Sequence, residues 1–210
     1  RANRQLIFMQ RFTASQVSAD KASIIIAARN EETHIGPCLE SLLAQDFPPS
    51  QMEIIVVDDQ SVDGTAALVK SYADRGIRLI SLGKDEAFGK KAAIARGIAA
   101  ATHGIIITTD ADCSYSRKWI NTLLCFREKM DAVFVAAPVQ FRKEINLLDR
   151  FQSLDFMALQ GITAAGVSSK YLNMCNGANL LYAKEAFLQV RGFEGIDHIA
   201  SGDDMLLMEK

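Results

Sequence analysis

The sequence predicts an α/β protein: a mostly parallel central sheet with helices on both faces. β-Branched runs carry the prediction. SIIIAA at 23–28, EIIVV at 53–57 and GIIITT at 104–109 read as strands buried on both sides. Helical periods separate these runs, so strands and helices alternate along the chain. Polar and acidic groups follow the strands at 29–32, 58–59 and 110–112. One parallel sheet would collect all of them at its carboxyl edge, where open α/β sheets place their ligands.

The elements follow in order. Residues 1–21 show no clean period and read as a lead-in segment. After the strand at 23–28 and the polar loop Arg29-Asn30-Glu31-Glu32, Ile35, Leu39, Leu42 and Leu43 share one helical face. Pro37 suits the first turn of that helix, and Pro48-Pro49 breaks the chain beyond it. The strand at 53–57 ends in Asp58-Asp59, and Asp63-Gly64 turns into a helix over 65–73. A third strand is expected at 77–81, a charged loop at 83–89, and an alanine-rich helix at 90–101. The fourth strand, at 104–109, leads into Asp110-Ala111-Asp112. Ser116 is placed to cap a helix over 117–129, and a fifth strand is expected at 132–137.

The pattern then changes. Leu147, Leu148, Phe151, Leu154, Ala158, Leu159 and Ile162 recur at helical spacing. The favoured reading is a helix packing on the sheet, with a membrane-surface helix as the alternative. A short strand at 179–183 and a short helix at 184–190 follow, and the chain stops at Lys210 inside what reads as a last helix.

Composition narrows the classes of function. Hydrophobic residues make up 49% and charged residues 23%, which is ordinary for a globular domain. The formal net charge of −2 does not suggest nucleic-acid binding. An anionic ligand would therefore need local cations or a metal. The four cysteines, at 38, 113, 125 and 175, form no Cys-x-x-Cys and no zinc spacing, so free thiols are expected. Cys113 is read as a neighbour of the acidic pair rather than a ligand. No apolar run is long enough to span a membrane, and no signal peptide is visible. Arg1 at the start and the abrupt stop suggest a piece of a longer protein.

Asp110-Ala-Asp112 is the most chemical feature of the chain. If the backbone stays extended, the two carboxylates point to the same side. Paired anions need positive charge nearby, and a divalent cation carrying a diphosphate would supply it. Other readings of the strand ends fail. The loop AARNEE lacks the Gly-x-Gly-x-x-Gly cradle of dinucleotide folds, and neither a P-loop nor a Gly-x-Ser-x-Gly elbow occurs.

The ordered strings SIIIAARNEE, EIIVVDDQSVDGT, GKKAAIARGIAAA, IITTDAD, NGANLLYAKEAFLQVRGFEG and SGDDMLLMEK resemble the family 2 glycosyltransferases over roughly residues 22–210. The resemblance implies a GT-A fold over 22–210, with a nucleotide-binding part at about 22–113 and an acceptor-side part at about 114–210. It also implies a nucleotide-diphospho-sugar donor, Mn²⁺ or Mg²⁺, and inversion at the anomeric carbon. Carried over by residue, Ala28, Arg29, Asn30 and Glu31 border the nucleoside. Asp58 and Asp59 meet the base, where a carboxylate can accept from a uracil imide, favouring uridine. Lys91 lies near base or phosphate, while Lys90 reads as a solvated helix lysine. Asp110 holds ribose or the metal shell, and Asp112 ligates the metal. Asn176 and Gly177 sit near donor sugar or acceptor. Asp204 is the general base, with Asp203 the second candidate.

The chain departs from the family pattern at Arg96, where Asn is frequent, and at Arg191, where Gly is usual. It ends before the position of the Gln-x-x-Arg-Trp string of processive members. The resemblance implies a glycan or lipid-linked acceptor and a parent protein anchored at the cytosolic face of a membrane. The rival readings are a sugar-1-phosphate nucleotidyltransferase, which would want a Gly-rich basic loop after strand one, and a degenerate scaffold or sugar-binding domain.

Overall fold

Six strands form the centre of the structure, a computed structural model that describes residues 12–85, 87–141, 145–168, 175–196, 199 and 202–210. β1 (Ala22–Ala28), β2 (Met52–Asp58), β3 (Ile77–Ser81) and β4 (Ile105–Asp110) run parallel. β6 (Leu180–Ala183) is antiparallel to β4 and to β5 (Phe134–Ala136), giving the order β3-β2-β1-β4-β6-β5. The helices are α1 (Ile35–Leu43), α2 (Thr65–Lys70), α3 (Lys90–Ala100), α4 (Trp119–Met130), α5 (Leu147–Ser168), α6 (Lys184–Gln189) and α7 (Asp203–Glu209).

The isoleucine run of β1 shows why the sheet is covered on both sides. Consecutive strand residues face opposite ways, yet Ile24, Ile25 and Ile26 are all fully buried. Ile24 and Ile26 share one core with Leu39 and Leu42 of α1 and with Ile120 and Leu124 of α4. Ile25 belongs to the other core, with Val57, with Ile94 and Ile98 of α3, and with Phe187 of α6 and Leu207 of α7. The expected α/β architecture is the one found.

α3 approaches the sheet closely because Gly97 faces it. A Cβ at Gly97 would stand 2.4 Å from Ile25 Cγ2 and 3.2 Å from Val57 Cγ2. Alanine would gain about 1 kcal/mol of helix propensity. Overpacking a buried β-branched pair costs about 1–3 kcal/mol, and this cost should prevail. Gly97→Ala is therefore expected to lower stability in urea unfolding, and a higher midpoint would refute the tight contact.

At the amino ends of the strands, Glu53 ties β1 and β2 to the turn before β4. Its carboxylate accepts from Ser23 Oγ (2.5 Å), from Thr102 N–H (2.5 Å) and from Thr102 Oγ1 (2.9 Å). Burial pushes the Glu53 pKa up, but these bonds hold it below the ordinary glutamate value.

Several expectations shift at this level. The fifth strand shortens to Phe134–Ala136, because Asp131 adopts φ 47° and Ala132 N–H bonds to Arg127 C=O (3.0 Å) to finish α4. α4 begins at Trp119, whose N–H bonds to the Ser116 carbonyl (3.0 Å), so Ser116 contributes its backbone rather than a side-chain cap. α5 does not lay its apolar stripe on the sheet. Leu147, Phe151 and Leu154 are 83%, 66% and 66% exposed. The helix meets the body through buried Ser153, through Gln160, whose Oε1 accepts from Val139 N–H (2.7 Å), and through Ala165 near its end. No described helix is long and apolar enough to cross a membrane.

Candidate active site

The loops after β1 and β2 hold each other. Asn30 takes φ 57°, donates its N–H to Ser61 Oγ (2.9 Å) and accepts from Val62 N–H at Oδ1 (2.9 Å). Glu31 N–H donates to Thr65 Oγ1 (2.7 Å), and Glu32 N–H to Asp63 Oδ2 (3.2 Å). Asp63 in turn accepts from the Thr65 N–H (3.0 Å) and hydroxyl (2.5 Å), and that hydroxyl holds its carboxyl below the usual aspartate range. The string SVDGT thus works as a clasp. Gly64 is part of it, since a Cβ there would stand 2.5 Å from Glu32 Oε1. The exchange between NEE and SVDGT was not read from the sequence. Its signal is a run of Asx and hydroxyl residues in each loop.

The clasp fixes one wall of a cleft of about 420 Å³ at the carboxyl ends of β1, β2 and β4. Ladder register brings the floor together, with Ala28 opposite Asp58 and Ala27 opposite Asp110. Ala27, Ala28, Arg29 and Glu31 line it from the first loop, and Asp110, Ala111 and Asp112 from the end of β4. Asn30 does not line it.

Asp59 lines the cleft and Asp58 does not. Asp59 is 4% exposed. Its Oδ1 accepts from Gly89 N–H (2.9 Å), and its Oδ2 lies 3.6 Å from the Arg29 guanidinium. The Asp58 carboxylate is buried, with no hydrogen-bond partner for Oδ1 among the described residues. The two lysines also separate. Lys90 lines the cleft and pairs with Asp110 at 2.6 Å. Lys91, expected near base or phosphate, is buried, with its ammonium on the carbonyls of Ile196 (2.7 Å) and Ile199 (2.6 Å). Adjacent helix residues point about 100° apart, so one lysine reaches the cleft and its neighbour faces the loop before α7.

Asp110 and Asp112 share the cleft without an extended backbone between them. The chain turns there, and Cys113 N–H reaches Asp110 C=O (3.3 Å). The four cysteines form no disulfide with one another. Burial, with Cys113 adding to it, pushes the Cys38 thiol up to about 12. Burial and then the charges of Asp112 and Asp110 raise Cys113 as well, so both thiols stay protonated beside the acidic pair.

Asp204 lies one step removed. Its Oδ2 accepts the N–H of Gly177 (2.7 Å), so the structure brings Asp204 onto the Asn176-Gly177 loop. Asn176 Oδ1 accepts from Ala178 N–H (2.9 Å). The Ala178 carbonyl accepts from the Thr109 hydroxyl (2.8 Å), next to Asp110. Asp203 opens α7, and its side chain lies outside the described residues. Thr109, Tyr115 and Trp119 were not among the predicted site residues.

A model of the family described as Glycosyl transferase family 2 matches residues 23–190. The chain belongs to that family. Among curated relatives, this family 2 chain is 27% identical over 185 residues to Glycosyltransferase AglE of Haloferax volcanii, covering 87% of the chain and 58% of that protein. It is 35% identical over 96 residues to a 4,4'-diaponeurosporenoate glycosyltransferase of Staphylococcus aureus, covering 46% of the chain and 25% of that protein. The chain therefore spans well under two thirds of both relatives. Among solved structures, it resembles the mannosyltransferase PcManGT of Pyrobaculum calidifontis in complex with GDP-Man and Mn²⁺, with TM-score 0.72 and 22% identity over 98% of the chain and 56% of that one. It also resembles residues 1–349 of S. aureus TarS in complex with UDP-GlcNAc, with TM-score 0.65 and 19% identity over 90% of the chain and 52% of that one. At these identities the structures establish the fold, which is GT-A.

Proposed function

We propose that this family 2 chain is the catalytic part of an inverting glycosyltransferase that moves a sugar from a UDP-sugar to a hydroxyl of a glycan or lipid-linked acceptor. The observation that carries the reading is the meeting of Arg29, Asp59, Lys90, Asp110 and Asp112 in one cleft at the carboxyl edge of the sheet. Three loops and the first residue of α3 supply cations and carboxylates there, which suits a nucleoside at one end and a diphosphate at the other. The donor side falls within 22–113 and the acceptor side within 114–210.

The base contact is assigned to Asp59. Its Oδ1 is engaged by Gly89 N–H, and Oδ2, 3.6 Å from the Arg29 guanidinium, keeps a lone pair that can accept the single imide N–H of uracil. Lys90, paired with Asp110, would face the diphosphate, and Arg29, 3.6 Å from Asp59, would border the nucleoside. Asp110 and Asp112 are two carboxylates on one turn, and among the described residues no larger cluster of metal-ligating side chains occurs. A pair of hard oxygen donors fits Mn²⁺ or Mg²⁺, which complete their shells with phosphate and water. When bound, that ion would neutralise charge on the departing diphosphate. Asp204 accepts the proton of the acceptor hydroxyl as its oxygen bonds to the anomeric carbon. The bond from that carbon to the diphosphate breaks on the opposite face, its electron pair leaves with UDP, and configuration inverts. The outward stripe of α5 supports work at a membrane surface, and with it a lipid-linked acceptor.

Titration with UDP, GDP and TDP, with and without Mn²⁺, tests the donor. UDP is expected to bind most tightly. Asp59→Ala should weaken it by about 10- to 10²-fold, the worth of a hydrogen bond to a charged group, whereas Asp58→Asn should leave it within about twofold. Equal affinity for UDP in Asp59→Ala would remove the base assignment, and tighter GDP would make the donor a guanosine sugar.

A further inference from the structure

We propose that Thr109 is a positioning residue that sets where the Asp204 carboxylate stands relative to Asp110, an inference that rests on the donor and base reading above. Thr109 is 3% exposed and next to last in β4. Successive strand residues face opposite ways, so Asp110 can serve the cleft while Thr109 turns away from it. The Thr109 hydroxyl donates to Ala178 C=O (2.8 Å) and also bonds with the Tyr115 hydroxyl. With its own proton on Ala178, Thr109 receives the Tyr115 proton, so the chain of bonds has one direction. Tyr115 is held by stacking on Trp119, with ring centroids 3.9 Å apart, and Trp119 Nε1–H donates to Asn179 Oδ1 (3.0 Å).

These bonds place the part of the loop that the sheet does not. The β4–β6 ladder ends at the pair Thr108–Leu180, and Asn179 is still held at the end of β5 by Ala137 N–H (2.9 Å) and the Pro138 carbonyl (3.0 Å), which leaves 176–178. There the Ala178 peptide is fixed on both sides, its N–H by Asn176 Oδ1 and its carbonyl by Thr109, while Gly177 N–H carries Asp204. If the Thr109 bond is lost, the loop can shift and Asp204 shifts with it. Misplacement by about 1 Å at a reacting centre can cost about 10²-fold in rate.

The test compares Thr109→Val, which keeps the shape and loses the hydroxyl, with Thr109→Ser, which keeps the hydroxyl. Amide hydrogen exchange is read at Gly177, nucleotide release is followed with UDP-GlcNAc and with GDP-mannose, and UDP affinity is measured by calorimetry. In Thr109→Val, Gly177 exchange should rise by about tenfold or more, and kcat should fall about 10- to 10²-fold with KM and UDP affinity within about twofold. Thr109→Ser should restore both, and Tyr115→Phe should move both the same way by less. Unchanged Gly177 exchange and kcat in Thr109→Val would overturn the proposal. So would an equal loss in Thr109→Ser. Should Thr109→Val not fold, Tyr115→Phe decides by the same two readouts. A wild-type protein that binds no nucleoside diphosphate would refute the donor reading instead, and Gly177 exchange would still decide the relay.

Discussion

Asp204→Asn is expected to lower sugar transfer by about 10²- to 10⁴-fold, the usual contribution of a general base, with UDP affinity unchanged. The change removes the proton-accepting charge and keeps the size of the side chain. In the native protein Oδ2 accepts from Gly177 N–H (2.7 Å) and Oδ1 lies 2.8 Å from Met205 N. An amide can present its single oxygen to Gly177 and so keep the loop contact. A loss of rate with Gly177 amide exchange as in the wild type would then report on charge rather than on a displaced loop. Asp203→Asn separates the two candidates. If Asp204 is the base, Asp203→Asn retains most of the activity. If the losses are reversed, the proton goes to Asp203 and Asp204 serves to hold Gly177.

The fold was legible because buried parallel strands are continuous β-branched runs, and SIIIAA, EIIVV and IIITT leave little else for those residues to do. Strand order was not legible in the same way. Nothing local places Leu180–Ala183 between β4 and β5, since antiparallel insertion depends on pairing between residues far apart in sequence. Periodicity showed that α5 has an apolar stripe but carries no sign for its direction. Ser153 and Gln160 turn to the body, so the stripe turns out.

The site shows the same limit at finer grain. Motif resemblance marked both Asp58 and Asp59, and it took Lys91 rather than Lys90 for the ligand, but adjacent residues cannot face one way in either strand or helix. The backbone chooses between them. Asp58 ends β2 away from the cleft, and Asp59, as deeply buried, lines its wall. Gly89, with φ 95°, starts α3 so that Lys90 meets Asp110. Thr109 escaped notice because a threonine in a buried strand reads as a β-former, and its hydroxyl acquires a partner only when residue 178 returns beside it.

Asp112→Ala is expected to abolish the Mn²⁺-dependent gain in UDP affinity while leaving metal-free UDP binding close to that of the wild type. The distinction follows from where the charges stand. Asp110 is paired with Lys90 at 2.6 Å, so part of its charge is already balanced within the protein. Asp112 is exposed at the turn and is the carboxylate more open to an ion arriving with the diphosphate. Removing it strips one of two protein ligands, which small divalent ions can ill spare. Asp59 and Arg29 lie on other loops and keep the nucleoside contact. Calorimetry with and without Mn²⁺ separates these contributions. If Asp112→Ala retains the full Mn²⁺ effect, the ion is not held at this turn. Lys90, beside Asp110, would then carry the leaving diphosphate, and Lys90→Ala would become the more damaging change.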